Sequence, residues 1–320
     1  MKIRYFAWNY FWKRKLIINV SLWLCGPSRR SQFTRFVVTA IFLGAGGFVA
    51  MSQVPSKKIK EFSTPKVTKV SIDRLGNFYL VLDKGVIKKY DTDGNFMNEF
   101  SSPEGYPITI LEPWNPLRVF VYCREKQKII LLDHHLELLQ TVSIDPSFAV
   151  DPYLVSPSVN NFWILDQADY SLKKIDFKTS RVIEEVNVKM VAGAEHDFTF
   201  LREYQNQLFL IDRKLGIDIL SNLGKAIHTF PVKNASYIGF LGQEIYYLES
   251  GKVHFYDLYS EDRHELAVDP SAQFVLLTDE RMVLIKKSTV EVWEYKPRLV
   301  YDLLIDTYEG LIVDGREIQS

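Results

Sequence analysis

From about residue 57 the chain alternates short apolar runs with polar reversals, and the alternation returns six times. The first copy is the clearest. Val70-Ser71-Ile72-Asp73 leads to a turn at Gly76-Asn77, Phe78 to Asp83 follows, and Lys84-Gly85 turns the chain into Val86-Ile87-Lys88-Lys89-Tyr90-Asp91. Thr92-Asp93-Gly94-Asn95 then reverses it again before Phe96. Side chains alternating with a period of two, bounded by Asp-Gly and Gly-Asn reversals, predict antiparallel strands joined by hairpins. No stretch after Lys57 keeps a 3.6-residue apolar period for more than about two turns, so long helices are not expected.

The centres of the second strands fall at Tyr79, Phe120, Trp163, Phe209, Tyr246 and Val283, spaced 41, 43, 46, 37 and 37 residues apart. The third strands end in step at Asp91, Asp133, Asp176, Ser221, Asp257 and Glu294. A unit of about 40 residues holding four short strands buries both faces of its sheet only by packing between neighbours around an axis. The pattern therefore predicts an all-β, six-bladed β-propeller of four-stranded blades over residues 53–320. The blades fall near 68–100, 107–142, 150–186, 196–230, 235–268 and 272–305.

The first copy, Gly76-Asn77-Phe78-Tyr79-Leu80-Val81 followed by Ile87-Lys88-Lys89-Tyr90-Asp91-Thr92-Asp93-Gly94-Asn95-Phe96, resembles the repeat of NHL-like and related six-bladed propellers of the TolB-like superfamily. Asn160-Asn161-Phe162-Trp163-Ile164 and Ser221-Asn222-Leu223-Gly224 are partial copies. The resemblance implies the fold and an exported bacterial setting, and leaves the function open.

Two segments compete to complete the last blade. Ile59 to Pro65 resembles Met97 to Pro103, the outer strand of the first blade, which suggests that the N-terminal end latches the ring. Arg298 to Ile305 also reads as an outer strand belonging to the last blade itself.

Charge divides the chain where the pattern begins. The sequence has 39 basic and 39 acidic residues, but residues 1–52 hold eight Lys or Arg and no Asp or Glu, leaving 31 basic against 39 acidic residues beyond. Nucleic acid calls for a basic face, and nothing after residue 52 offers a sustained Lys/Arg run, so nucleic-acid partners are excluded. Phe36 to Met51 is uncharged and mostly apolar, and it follows Arg29, Arg30 and Arg35. That length suits a signal peptide, with Ala50 and Ser52 at the −3 and −1 positions of a cleavage before Gln53. Retention as a membrane anchor is the alternative, supported by a second apolar run at Leu16 to Leu24. Either way the acidic body is exported, to the periplasm or the cell surface. Arg29-Arg30 lacks the apolar pair that a twin-arginine signal requires, and Cys25 lacks the small preceding residue of a lipoprotein acceptor. Cys123 is the one thiol of the body, so the fold has no internal disulfide to rely on.

Functional residues on propellers gather where the axial channel opens, on loops between blades and between second and third strands. Here those loops carry Asp83, Arg124, Asp166, Asp169, Asp212, Arg213 and Glu249, with His196 on the connection into the fourth blade. Asp83, Asp166 and Asp212 recur at one point of three blades. They either ring the opening with carboxylates fit for a divalent cation or cap their own turns. No cofactor is predicted, and the six histidines show no zinc-site spacing. The Asp-box turns of sialidase-like propellers, the Glu/Asn/Asp metal trio of lactonase-like ones and a Gly-x-Ser-x-Gly elbow are not recognisable. Tyr246-Tyr247, Phe255-Tyr256, Trp293 and Tyr295 invite a carbohydrate- or peptide-binding role, although alternation assigns about half of them to packing between blades. The expectation is a non-enzymatic binding or scaffolding propeller of the cell envelope whose partner is an envelope protein, a peptide or a carbohydrate. A metal-dependent hydrolase or lactonase on the same fold is the alternative.

Overall fold

In the computed structural model, which describes residues 57–188 and 195–296, an Asp that caps its own turn sets the corner of a blade. Asp73 accepts the N–H groups of Leu75 and Asn77 at 2.9 and 3.0 Å, and Asp91 those of Asp93 and Asn95 at 3.0 and 2.7 Å. In both turns the Asn side chain donates back to the same carboxylate at 2.9 Å. Gly76 and Gly94 take φ of +84° and +81°, a region that side chains disfavour. The turn at Asp133 repeats the pattern with His135 and Glu137, and Leu136 sits there at φ +63° in the glycine's place. In the fourth blade Ser221 Oγ takes the part of the Asp, accepting from Leu223 and Lys225.

Such turns fold the chain into six antiparallel four-stranded sheets. Five of them use consecutive strands, within residues 67–101, 110–143, 152–187, 198–230 and 238–267. The sixth contains Phe274–Leu277, Arg281–Ile285 and Thr289–Glu294, and its outer strand is Lys58–Ser63, from the opposite end of the chain. This is the latch suggested by the likeness of Ile59 to Pro65 to the first blade's outer strand. The competing segment 298–305 and the leader, 1–52, lie outside the described residues.

The latch is fixed by register and by charge. Glu61, Phe62 and Ser63 stand opposite Glu291, Val290 and Thr289, and the N–H of Glu294 donates to the Lys57 carbonyl at 2.8 Å. Two glutamates facing each other would repel, so cations must intervene. Lys58 Nζ donates to Glu61 at 2.7 Å and to Glu291 at 3.0 Å, and Glu291 also accepts from Lys286 Nζ and Trp293 Nε1 at 3.0 Å. Burial pushes the Glu291 carboxyl up, but the hydrogen bonds from Lys286, Lys58 and Trp293 hold it below its ordinary value. Phe62 stacks on Tyr90 of the first blade, centroids 4.8 Å apart, so the latch joins two blades.

Second strands are covered on both faces by neighbouring blades. Every residue of Phe78–Leu82 and of Val119–Cys123 is therefore buried. Trp163 is fully enclosed in the same position of the third blade. Between the fifth and sixth blades the buried Tyr246 ring occupies the space where a side chain on Gly239 would stand, and its hydroxyl accepts the Leu277 N–H at 2.8 Å.

One strand pair carries a mismatch with a readable consequence. Glu244 stands opposite Asp257, and burial together with that neighbouring charge pushes its carboxyl up to about 7. The folded chain thus holds a proton that the unfolded chain releases near the ordinary value of 4.5. The associated stability is fully present below about pH 4.5 and is lost as pH rises through 7. Glu244→Gln keeps the shape and removes the titration. Its unfolding free energy should exceed the parent's by a margin that widens between pH 5 and 8, reaching about 1–3 kcal/mol, measured by calorimetry at several pH values. A constant margin would show that Glu244 does not titrate in this range.

Candidate functional site

Antiparallel order sends the first and third turns of every blade to one end of the channel, and the middle turn and inter-blade connection to the other. The eight residues singled out from the sequence lie on or beside the second kind of loop. Asp166 is buried, and its carboxylate is filled by the N–H groups of Val150, Asp151 and Ala168 and by Lys173 Nζ at 2.9 to 3.1 Å. Asp169 shares Lys173 with it and accepts from Ser171. Arg124 Nη2 reaches Gln167 at 2.7 Å and Asp151 at 3.3 Å, and its guanidinium lies 3.7 Å from the Tyr153 ring centroid. Asp212 accepts the N–H groups of Asp197, Lys214 and Leu215 and pairs with His196 Nδ1 at 2.7 Å. Arg213 turns away to Asp197, at 2.8 Å through Nε. Glu249 lies 3.8 Å from His254, and Asp83 is exposed in its turn. The structure thus groups Asp166 with Asp169, and His196 with Asp212, while Asp83 and Glu249 stand apart. Among the described residues no three His, Cys, Asp or Glu side chains gather as a metal ion requires.

The opposite end of the channel holds a cavity of about 550 Å3, and none of those eight residues lines it. Its walls come from four blades. Glu112 ends the inner strand of the second blade, Ile110–Glu112, and Arg202 lies in the inner strand of the fourth, Phe198–Tyr204. These two meet across the axis, Arg202 Nε to Glu112 Oε2 at 3.1 Å, and both are buried. The Arg202 guanidinium lies close to two rings, 4.6 Å from the Phe240 centroid and 5.2 Å from that of Trp114. Its Nη2 is buried and has no hydrogen-bond partner among the described residues. Burial pushes the Glu112 carboxyl above its ordinary value, against the pull of Arg202 and of the Trp114 N–H, which it accepts at 3.0 Å.

The second carboxylate in the cavity wall is Glu203. It accepts from Trp163 Nε1 at 2.6 Å and lies 3.7 Å from Lys174 Nζ. Two further arginines, Arg74 and Arg118, line the mouth, and Arg118 lies over the Phe177 ring at 5.1 Å. Trp114, more than a third exposed, meets Tyr204 edge to face at 5.9 Å. Deeper in the channel a space of about 30 Å3 is lined by Lys69, Thr199, Tyr237 and again Glu112. Burial, reinforced by Arg213, depresses the Lys69 ammonium, with Asp197 opposing.

No family model and no curated protein matches this chain. Among solved structures, the WD40 domain of Neurospora crassa Pan2 superposes with a TM-score of 0.51 at 11% identity, covering 76% of this chain and 96% of that domain. Virginiamycin B lyase from Staphylococcus aureus gives 0.49 at 10% identity over 74% of this chain and 99% of the lyase. BamB from Moraxella catarrhalis gives 0.42 at 12% identity over 71% and 84%. At such identities a likeness bears on the fold alone. The six four-stranded blades define the chain as a β-propeller.

Proposed function

We propose that this chain is a non-enzymatic binding propeller of the cell envelope, exported by its N-terminal segment and belonging with the NHL-like and TolB-like propellers. The observation that carries the reading is the cavity on the Glu112–Arg202 pair. A concave site of some hundreds of Å3, in which Trp114, Phe120, Phe177 and Tyr204 stand among convergent charged and polar side chains, is what a ligand pocket offers. Its chemistry is suited to holding rather than turning over. Each carboxylate in the wall is already engaged, Glu112 by Arg202 and Glu203 by Trp163 and Lys174, and among the described residues neither His nor Cys lines it. Envelope delivery is supported by the basic cluster ahead of Phe36 and by the acidic body.

The test is affinity selection. Purified protein is incubated with a small-molecule extract of the envelope, and retained compounds are identified by mass spectrometry. A compound should be retained, recovered unaltered, and lost with Trp114→Ala. Recovery in cleaved form would favour the hydrolase alternative, and retention that is indifferent to Trp114→Ala would remove the cavity from the proposal. Export has its own check: N-terminal sequencing of the envelope protein should begin at or near Gln53, whereas an intact Met1 in a membrane pellet would show a retained anchor.

A further inference from the structure

We propose that the ligand of this cavity is a small organic anion, a carboxylate or phosphate borne on a flat ring, with its charge met by Arg202 and Arg118 and its ring by the Trp114 and Tyr204 side. The inference rests on the cavity's being a binding site and adds the class of ligand.

The first ground is the state of Arg202. It is only 3% exposed, yet contact with Glu112 engages only its Nε edge. A buried charged donor without a partner is costly, and the guanidinium fork matches the paired oxygens of carboxylate and phosphate. Arg202 lines the cavity, and its Nη2, buried without a partner among the described residues, is a donor that an oxyanion admitted to the floor would satisfy.

The second ground is the balance of charge. Glu112 and Glu203 are matched by Arg202 and Lys174, which leaves Arg74 and Arg118, with no carboxylate partner among the described residues, to set the sign of the mouth. A positive recess on a body with 31 basic and 39 acidic residues runs against the average of its surface. Such a recess focuses anions and disfavours cations.

The third ground is shape. Trp114 presents its ring at the cavity with Tyr204 packed edge-on beside it, and Phe177 lies beneath Arg118. Flat faces next to guanidinium groups take a ring by stacking while the arginines take its charge. Two or three rings with one acidic group fill a volume of this order.

The experiment is isothermal titration of the purified full-length chain with four probes: benzoate and phenyl phosphate, which carry both features, phenol, which lacks the anion, and inorganic phosphate, which lacks the ring. At least one ring-bearing anion should bind at least tenfold more tightly than phenol and than inorganic phosphate. The ratio of benzoate to phenyl phosphate then distinguishes the two anion sources. Arg118→Ser removes an exposed side chain and should weaken that probe at least tenfold with an unchanged melt. Arg202→Lys keeps a cation beside Glu112 but loses the fork, and should weaken it further. Phenol binding as well as the anions would overturn the assignment, as would unchanged affinity in Arg118→Ser. A neutral compound retained in the affinity selection, with none of the anions bound, would overturn the ligand class and leave the binding function standing. Nothing retained and nothing bound would end both.

Discussion

Trp163→Ala should lose about 3–5 kcal/mol of stability, enough to lower the melting temperature sharply or to abolish soluble expression. The side chain is fully buried at the centre of the core shared by the second, third and fourth blades. Truncation removes its transfer energy and leaves a cavity between rigid sheets that cannot close over it. It also removes the Nε1–H that Glu203 accepts at 2.6 Å, and the ring that Lys174 covers at 4.9 Å. Typical total stability is only about 5–15 kcal/mol, so one such loss is a large share. Trp163→Phe separates the terms, since it keeps most of the volume and none of the hydrogen bond. His134→Ala, at an exposed hairpin tip, should stay within about 0.5 kcal/mol of the parent. Thermal melts decide the matter: a Trp163→Ala protein as stable as the parent would mean that the ring contributes nothing to the core.

Removing the latch should be comparably severe. Without residues 57–63 the sixth blade keeps three strands, and Val290 and Val292, now fully buried, lie on its new edge. The Phe62 stack on Tyr90 and the Lys58 contacts to Glu291 go as well. The combined loss of ladder, apolar burial and stacking is on the order of 5 kcal/mol or more, comparable to the whole stability of many domains. The deletion variant should melt far below the parent and be cut by protease within the first and sixth blades. A synthetic peptide of residues 57–64 added in excess should restore part of the melt. A deletion that melts with the parent would show that the ring does not depend on this strand.

Much of this architecture is written locally. The Asp-x-x-Gly-Asn turns could be read because the capping carboxylate, the left-handed glycine and the returning Asn all lie within five residues, as at 73–77 and 91–95. The latch was half legible. Its likeness to the first blade's outer strand was visible, but choosing between Lys58–Ser63 and 298–305 required knowing which segment meets Thr289–Glu294, a long-range pairing. The cavity was missed altogether. Glu112 and Arg202 lie on strands of different blades, and no periodicity reports that two inner strands face each other across an axis. One signal was present: Arg202, directly after the mostly apolar run Phe198-Thr199-Phe200-Leu201 and followed by Glu203, is out of place on a strand that lines a core.

The latch also dictates an order of events. Lys58 and Glu291 are 233 positions apart, so the first of the described strands to emerge from synthesis is the last able to find its partner. Contacts of that sequence separation are slow to form because the loop they close is nearly the whole domain. Until they form, the edge of Thr289–Glu294 stands open to pairing with another chain. Lys57 and Glu294, joined backbone to backbone, then bring the two ends of the folded ring together. A circular permutant whose original ends are bridged by a short linker, and whose new ends open an exposed turn such as that at His134, would turn this closure into a local hairpin. It should refold faster and aggregate less at equal concentration, with the blades unchanged.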